Sequence, residues 1–517
     1  MSINQKSITI IASNFGNTYV LFLTLVLLIA SIKIFKNRRK IILGSKIPSL
    51  KGSLLKVFIQ GPEHFLPGIL KIAKQRNFQT TKGWILDHLY VNVCDPDEIE
   101  QILTKQETFK KAREYKSLKD SVFGEGLFVM NNLEQWKTVR KVAFEALKIS
   151  IFKSFIPIFY EEAIILSKKL LEKRSVESHD CEISVLVSFA VLDIFGRTTL
   201  GENFNSQSKS GHIFFKNAEI LKKALIHRIL NPWFSSSLTF CISPWKKKHD
   251  ESMRILQNYT DNLILKKKIQ MNRNLNRFEE EENSVEAQIH STLIEVLVKK
   301  NFQNKEIRDN CINAMFAGHD TTNTTISCAI FMLAHNQDAQ KQVFEELTAI
   351  FSSENSDRQP TYEDLNKMEY LERVIKETLR LFPPLPVLGR KVSKEIKLGN
   401  YLIPKGTTIT VFPYVVHSNP KLYPDPEKFN PDNFLPEVCL KRHPYAFLSF
   451  GGGLRVCAGL KYSIINMKTV LSTLIRSYHF SPSDKCPNPE NLRTMFSMNL
   501  AFVDGCYVKI QTREKYN

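Results

Sequence analysis

The sequence has no CxxC pair, and its nine cysteines, at positions 94, 181, 241, 311, 328, 439, 457, 486 and 506, are odd in number and scattered. That spacing argues against both a disulfide framework and a zinc cluster, and reduced, cytosol-facing thiols are the simpler reading. No internal repeat and no glycine-serine linker divides the chain behind its amino-terminal segment. No array of nucleic-acid motifs accompanies its basic residues, so nucleic acid is not an expected partner. Lys and Arg nevertheless exceed Asp and Glu by 71 − 52 = 19, which favours an anionic membrane face or an acidic protein.

Charge is missing altogether from one stretch. Between Ser7 and Ile32 there is no charged residue, and "YVLFLTLVLLIASI" within it is almost wholly apolar. A bilayer-spanning helix needs about 20 such residues, so this run is expected to form one. Lys33, Lys36, Arg38, Arg39 and Lys40 follow it while only Lys6 precedes it, which keeps the carboxyl side in the cytosol. A cleaved signal peptide fits less well, because the basic block lies after the run and no A-x-A site follows. Residues 1–40 therefore read as a membrane anchor with a basic stop-transfer segment, and residues 41–517 as the functional body.

With 43% hydrophobic and 24% charged residues, the body has material for a large core and is not a disordered chain. Residues 131–350 carry mainly helical periodicity, in runs such as "IFYEEAIILSKKLLEK" and "DAQKQVFEELTAIF". Strand-like runs lie in "WILDHLYVNVC", "LGNYLIPKGTTITVFPY" and "CYVKIQT". The expected fold class is mainly α with small β-sheets. "FEEEENSVEA" (278–287) reads as a solvated spacer, and "NPWFSSSLTFCISPWKKKH" (231–249) places aromatics beside lysines. The latter suits a bilayer interface or an ordinary loop equally.

The chemistry concentrates in "FLSFGGGLRVCAGLKYS" (447–463). A thiolate is a strong ligand for soft metals. Gly451, Gly452, Gly453 and Gly459 let the backbone pass close to something flat and aim amide hydrogens at the sulfur of Cys457. Arg455 can pair with an anionic group on the bound ligand. No GK[ST] follows, which excludes a Walker loop; the glycine run alone would equally suit a turn around an inert cysteine. The fuller spacing F-x-x-G-x-R-x-C-x-G, met by Phe450, Gly453, Arg455, Cys457 and Gly459, resembles the haem loop of the cytochrome P450 family. The resemblance implies haem b with Cys457 as its axial thiolate, a ligand that favours cleavage of dioxygen.

Further segments carry the same resemblance. "KETLRLFPP" places Glu377 and Arg380 on one helix face and is similar to the family's E-x-x-R helix, whose implied role is structural. In "FNPDNFLP", Asn433 stands where an arginine often completes that network, so the third member is expected to be weaker or supplied differently. "NAMFAGHDTTNTT" resembles the long helix that crosses the haem face. There Ala317 and Gly318 would form a groove for dioxygen, a use that compensates the cost of about 1 kcal/mol for glycine inside a helix. Asp320 and Thr321 would be the catalytic acid and alcohol that relay protons through water. Trp136 and Arg140 in "EQWKTVRK", with Arg390 and Arg455, are implied partners of the haem carboxylates. Phe316, Ala317, Leu385, Val387, Leu388 and Met498 are the implied substrate pocket.

Details such as "GEGLF", "AGHDTT" and "LFPPLPVLGR" are most similar to animal family 4 and related insect enzymes. Members of that group commonly oxidise fatty acids and other long lipids. Two departures stand out. Ala317 replaces the glutamate that often esterifies the haem in this group, so no covalent link is expected there, and the proline-rich hinge is reduced to Pro48. The resemblance implies a cytochrome P450 fold behind one transmembrane helix, in the endoplasmic reticulum membrane, with the catalytic domain facing the cytosol. The implied activity is insertion of one oxygen atom of O2 into an apolar substrate: a fatty acid, hydrocarbon, hormone, terpenoid or xenobiotic. No flavin or NADPH domain is visible, so NADPH-cytochrome P450 reductase is the expected electron donor, with cytochrome b5 as a possible assistant. Docking is expected on the cysteine side near Lys461, weakened by salt. A reductase-independent isomerase or dehydratase is the alternative, against which Asp320 and Thr321 count; a catalytically silent haem- or lipid-binding protein is another.

Overall fold

The computed structural model describes residues 60–513 apart from 86, 148, 210–211, 235, 279–291 and 352–356, together with scattered positions between 24 and 49. The apolar run expected to span a membrane and the acidic spacer both lie almost wholly outside the described residues. Among the described residues, no helix is long and apolar enough to cross a membrane.

The main helices are α1 (Pro62–Gln75), α2 (Pro96–Thr104), α3 (Leu133–Glu145), α4 (Ile149–Lys173), α5 (Ser184–Phe195), α6 (Ile213–Leu230), α7 (Lys246–Phe278), α8 (Asn304–His335), α9 (Gln337–Ile350), α10 (Glu369–Leu381) and α11 (Leu460–Ser477). Local chemistry starts several of them. Asp95 accepts from the Asp97 and Glu98 amides ahead of Pro96 at the start of α2, a cap worth about 1 kcal/mol. Glu306 accepts from the Gln303 amide at 3.1 Å at the start of α8. From Thr324 to Ala334 every residue of α8 is buried, as befits a helix that runs through the core. Around it, Leu166 of α4, Ile194 of α5, Leu379 of α10 and Leu471 of α11 share one apolar cluster.

Strands β1 (Thr81–Ile85), β2 (His88–Val93), β3 (Asp180–Glu182), β4 (Leu388–Lys391), β5 (Ile396–Leu398), β6 (Tyr401–Ile403), β7 (Thr408–Val411), β8 (Tyr478–Pro482), β9 (Thr494–Ser497), β10 (Asn499–Phe502) and β11 (Tyr507–Thr512) form small sheets. The largest has the order β1-β2-β7-β4, with Val91 paired to Ile409 in parallel and Arg390 to Ile409 antiparallel. The three strand-like sequence runs correspond to β1–β2, β6–β7 and β11, the middle one beginning at the last residue of β5. Strands β3, β4, β8, β9 and β10 and most of β5 went unforeseen, because with three to five residues each they are too short to show a period of their own, and several gain partners only through distant pairing. β11, for instance, bridges β3 and β8. The mainly helical class with small sheets is thus as expected, and the site lies where α8, α11 and β4 converge.

Candidate active site

The loop that enters α11 is held from within: the Cys457 amide donates to the Phe450 carbonyl at 2.9 Å. Gly453 has a φ of +60°, and a Cβ there would lie 2.0 Å from the Leu103 carbonyl oxygen. Only glycine lets the loop close onto the end of α2. Gly453 therefore seats the loop and does not face the cavity, whereas Phe450, Arg455 and Gly459 do. Among the described residues Cys457 is the one cysteine lining that cavity, of about 360 Å³. Burial pushes its thiol up on balance, against the Gly459 amide hydrogen bond and then the Arg140 guanidinium, which draw it down. Both favour the thiolate.

Four cations line the same cavity: Lys111, Arg140, Arg390 and Arg455. Arg140 donates to the Val456 carbonyl at 2.7 Å and lies 4.9 Å over Trp136, tying α3 to the cysteine loop. Arg455 donates to the Phe109 carbonyl at 3.0 Å and to that of Met130. The Lys111 ammonium lies over the rings of Tyr115, at 4.7 Å, and Phe128, at 4.4 Å. No carboxylate among the described residues contributes to holding any of these charges. Burial, then Arg390 and Arg455, holds Lys111 well below the usual lysine range; burial, then Arg390, draws Arg455 down to about 9. Buried cations without counter-charge are costly, and a flat cofactor carrying two carboxylates would relieve that cost. Trp136 and the three arginines singled out from the sequence line this one cavity. Lys111 was missed, since no motif marks it and only the bridge pairing Lys111 with Arg390 brings it here.

The facing wall is α8, with Phe316, Ala317, Gly318, Asp320 and Thr321 on the cavity. The Thr321 hydroxyl donates to the Ala317 carbonyl at 2.7 Å. A Cβ on Gly318 would lie 1.9 Å from Phe195 Cζ, so glycine lets α5 approach. Asp320 Oδ1 meets Lys222 Nζ of α6 at 3.0 Å and His319 Nδ1 at 3.1 Å. His319 Nε2 lies 2.9 Å from the Ser188 hydroxyl. Burial pushes the Asp320 carboxyl up, but Lys222 and then His319 outweigh it and hold it well below the usual carboxylate range. Lys222, 98 residues from Asp320, carries no local sequence signal. Leu385, Leu388 and Met498 close the apolar end. Val387 packs beside Phe412 and Phe496 in a neighbouring cluster and is not among the lining residues.

Glu377 and Arg380 are fully buried away from the cavity. The guanidinium donates twice to the carboxylate, each at 2.7 Å, and to the carbonyls of His417, Pro426 and Lys428. The third member is the Asn433 amide, donating to Glu377 at 3.1 Å, with the Asn430 backbone N–H at 2.8 Å. His417 Nδ1 lies 3.0 Å from the Arg380 carbonyl, and its Nε2 accepts from the Leu448 amide at 2.9 Å. Its imidazole is neutral, burial and then Arg380 drawing it down to about 3. The Ser449 hydroxyl donates to the Leu379 carbonyl at 2.7 Å, so the network supports the segment leading to Cys457.

This fold and site define a haem-dependent monooxygenase, and the chain belongs to the cytochrome P450 family, whose model, "Cytochrome P450", matches residues 63–501. It is most like family 4. It is 30% identical over 471 residues to cytochrome P450 4V2 of Homo sapiens, covering 90% of this chain and 88% of that protein. It is 32% identical over 470 residues to cytochrome P450 4g1 of Drosophila melanogaster, covering 84% and 83%. The solved heme domain of a cytochrome P450DA mutant shares the fold, with a TM-score of 0.76 and 17% identity, over 91% of this chain and 98% of that one. The cofactor is haem held by a cysteine thiolate, and the residues lining the cavity fit it.

Proposed function

We propose that the protein hydroxylates or otherwise oxygenates an apolar, membrane-soluble substrate, using electrons from NADPH-cytochrome P450 reductase with cytochrome b5 as an accessory donor. The observation that carries this reading is the cavity itself: one thiol, four cations without carboxylate partners among the described residues, and an acid-alcohol pair share walls that are otherwise mostly apolar. Cys457 would hold the iron, and Trp136, Arg140, Arg390, Arg455 and Lys111 would hold the haem carboxylates. Bound haem supplies activation of dioxygen and transfer of one of its oxygen atoms. Asp320 and Thr321 hold the proton supply on α8, and intact placement of both favours oxygenation over an isomerase, which needs no such supply. Ala317 leaves no carboxylate at its position to esterify haem.

The uncharged run from Ser7 to Ile32, with its following basic block, supports a single-pass anchor in the endoplasmic reticulum with a cytosolic body. Exposed Trp233 (60%), Leu238 (84%) and Ile242 (82%), ahead of Lys246, Lys247 and Lys248, support a second contact with the bilayer surface. Lys461 is exposed beside the cysteine loop, as the docking of an acidic reductase requires.

The test is the reduced, carbon-monoxide-bound absorption spectrum of the parent beside Cys457→Ala, followed by turnover of fatty acids, hydrocarbons and terpenoids with and without reductase. A red-shifted Soret band in the parent alone, with reductase-dependent oxygenation, supports the reading. Its absence from folded, haem-supplied protein overturns it.

A further inference from the structure

The "GEG" of residues 124–126 has no part in the chemistry above, yet both glycines are forced. Gly124 has a φ of +51°, and a Cβ there would fall 2.2 Å from Asp309 Oδ2; on Gly126 it would fall 2.1 Å from Asn313 Nδ2. Two polar side chains of α8 thus reach bare backbone. Asp309 accepts from the Glu125 amide at 2.9 Å, Asn310 from the Leu127 amide at 3.0 Å, and Asn313 from the Phe128 amide at 3.2 Å. Asn313 also donates to the Phe123 carbonyl at 2.8 Å. All three side chains are more than nine-tenths buried, and residues 124–130 have no helix or strand of their own.

The clamp fixes where the segment's side chains point. Phe123, Leu127 and Phe128 line the cavity together with Phe316. Phe123 stands edge-on to Phe128, with ring centroids 5.5 Å apart, and to Phe316, at 5.6 Å and 89°. Asn313 precedes Asp320 on α8 by seven residues, two helical turns, so one helix carries both the proton-handling acid and the mount of this aromatic wall. An unclamped loop would leave the rings free to rotate away, and an apolar chain would lose its fixed contact surface.

We propose that Asp309, Asn310 and Asn313 are positioning residues that set substrate selectivity, by clamping residues 123–128 as the aromatic wall against which a slender apolar substrate, such as an alkyl chain, packs. This rests on the haem-monooxygenase reading of the cavity. The wall takes no part in haem ligation or proton supply, so loosening it changes which molecules bind and where they are presented, while thiolate ligation persists.

The test uses full-length parent, Asn313→Ala and Asn310→Ala, the last removing a single clamp bond should the first fail to fold. Spectral titration compares imidazole, which reaches only the iron, with 1-octylimidazole, whose tail must lie along the wall; amide hydrogen exchange reads Glu125, Leu127 and Phe128. Loss of the clamp is expected to weaken 1-octylimidazole about tenfold, leave imidazole within about twofold and speed exchange of these amides about tenfold, the scale of one lost hydrogen bond. Faster exchange with an unchanged ratio of the two affinities would reduce the clamp to a structural role and overturn the proposal. Unchanged exchange in both variants would also overturn it, and this arm needs no haem. Absence of the thiolate-haem spectrum from the parent would instead refute the reading of the cavity.

Discussion

Lys222 of α6 and Asp320 of α8 form an ion pair at 3.0 Å, with side chains only 10% and 7% exposed. Helix α6, which lends no residue to the cavity lining, is thereby bonded to the acid proposed to handle protons. Glu219, half-exposed, also pairs with Lys222, so the buried pair has one contact that leads toward the surface.

Lys222→Met is expected to move the acid limb of turnover upward in pH. Asp320 is held below its unfolded value of about 3.9, so the pair's contribution to stability is complete above that value and is lost as pH falls through the folded one. Between pH 5 and 8 the parent therefore shows no titration of this group. Without Lys222 burial dominates and the carboxyl rises toward neutrality, or else an unpaired buried charge costs about 3–5 kcal/mol. Superimposable pH profiles and melting curves for parent and variant would contradict this.

The buried Glu377–Arg380 pair is expected to be indispensable and Asn433 auxiliary. Glu377→Gln leaves a guanidinium without counter-charge and should cost about 3–5 kcal/mol, with loss of haem incorporation. Asn433→Ala removes one hydrogen bond to a charged group and should cost about 1.5–3 kcal/mol. Denaturant unfolding ranks the two, and equal losses would show the asparagine to be a full member of the network.

Gly318→Ala should destabilise by about 1–3 kcal/mol, as expected for overpacking, because its Cβ would fall 1.9 Å from Phe195 Cζ. Phe195→Leu in the same chain should recover part of the loss. Strictly additive effects in the double variant, measured by thermal unfolding, would show that the new methyl does not press on the Phe195 ring.

Lys111→Met should have opposite effects on haem-free and haem-loaded protein. In the haem-free protein burial lowers the Lys111 value, so the unfolded chain binds the extra proton and stability rises with pH up to the unfolded lysine value of about 10.4. The substitution should flatten that rise, increase haem-free stability near neutral pH and weaken retention of haem. Melting curves at several pH values, with and without haem, read all three effects; a variant indistinguishable from the parent in both forms would remove Lys111 from the site.

Much of the site was legible from local spacing, because its chemistry needs particular residue types a few positions apart. The glycines around Cys457, the Glu377–Arg380 step and the Ala317 to Thr321 run each occupy one loop or a turn or two of helix. Periodicity likewise marked the long helices, whose apolar faces repeat along the chain. Only the tertiary structure decided what those residues meet. Lys111 reaches Arg390 through a bridge between distant segments, Lys222 meets Asp320 from 98 residues away, and Asn313 meets Phe128 from 185. Val387 looks like its neighbours Leu385 and Leu388 in sequence yet packs into another cluster. A chain written in one dimension carries each residue's chemistry and its local period, whereas counter-charges, clamps and cavity walls arise from packing between elements whose register only the folded core sets.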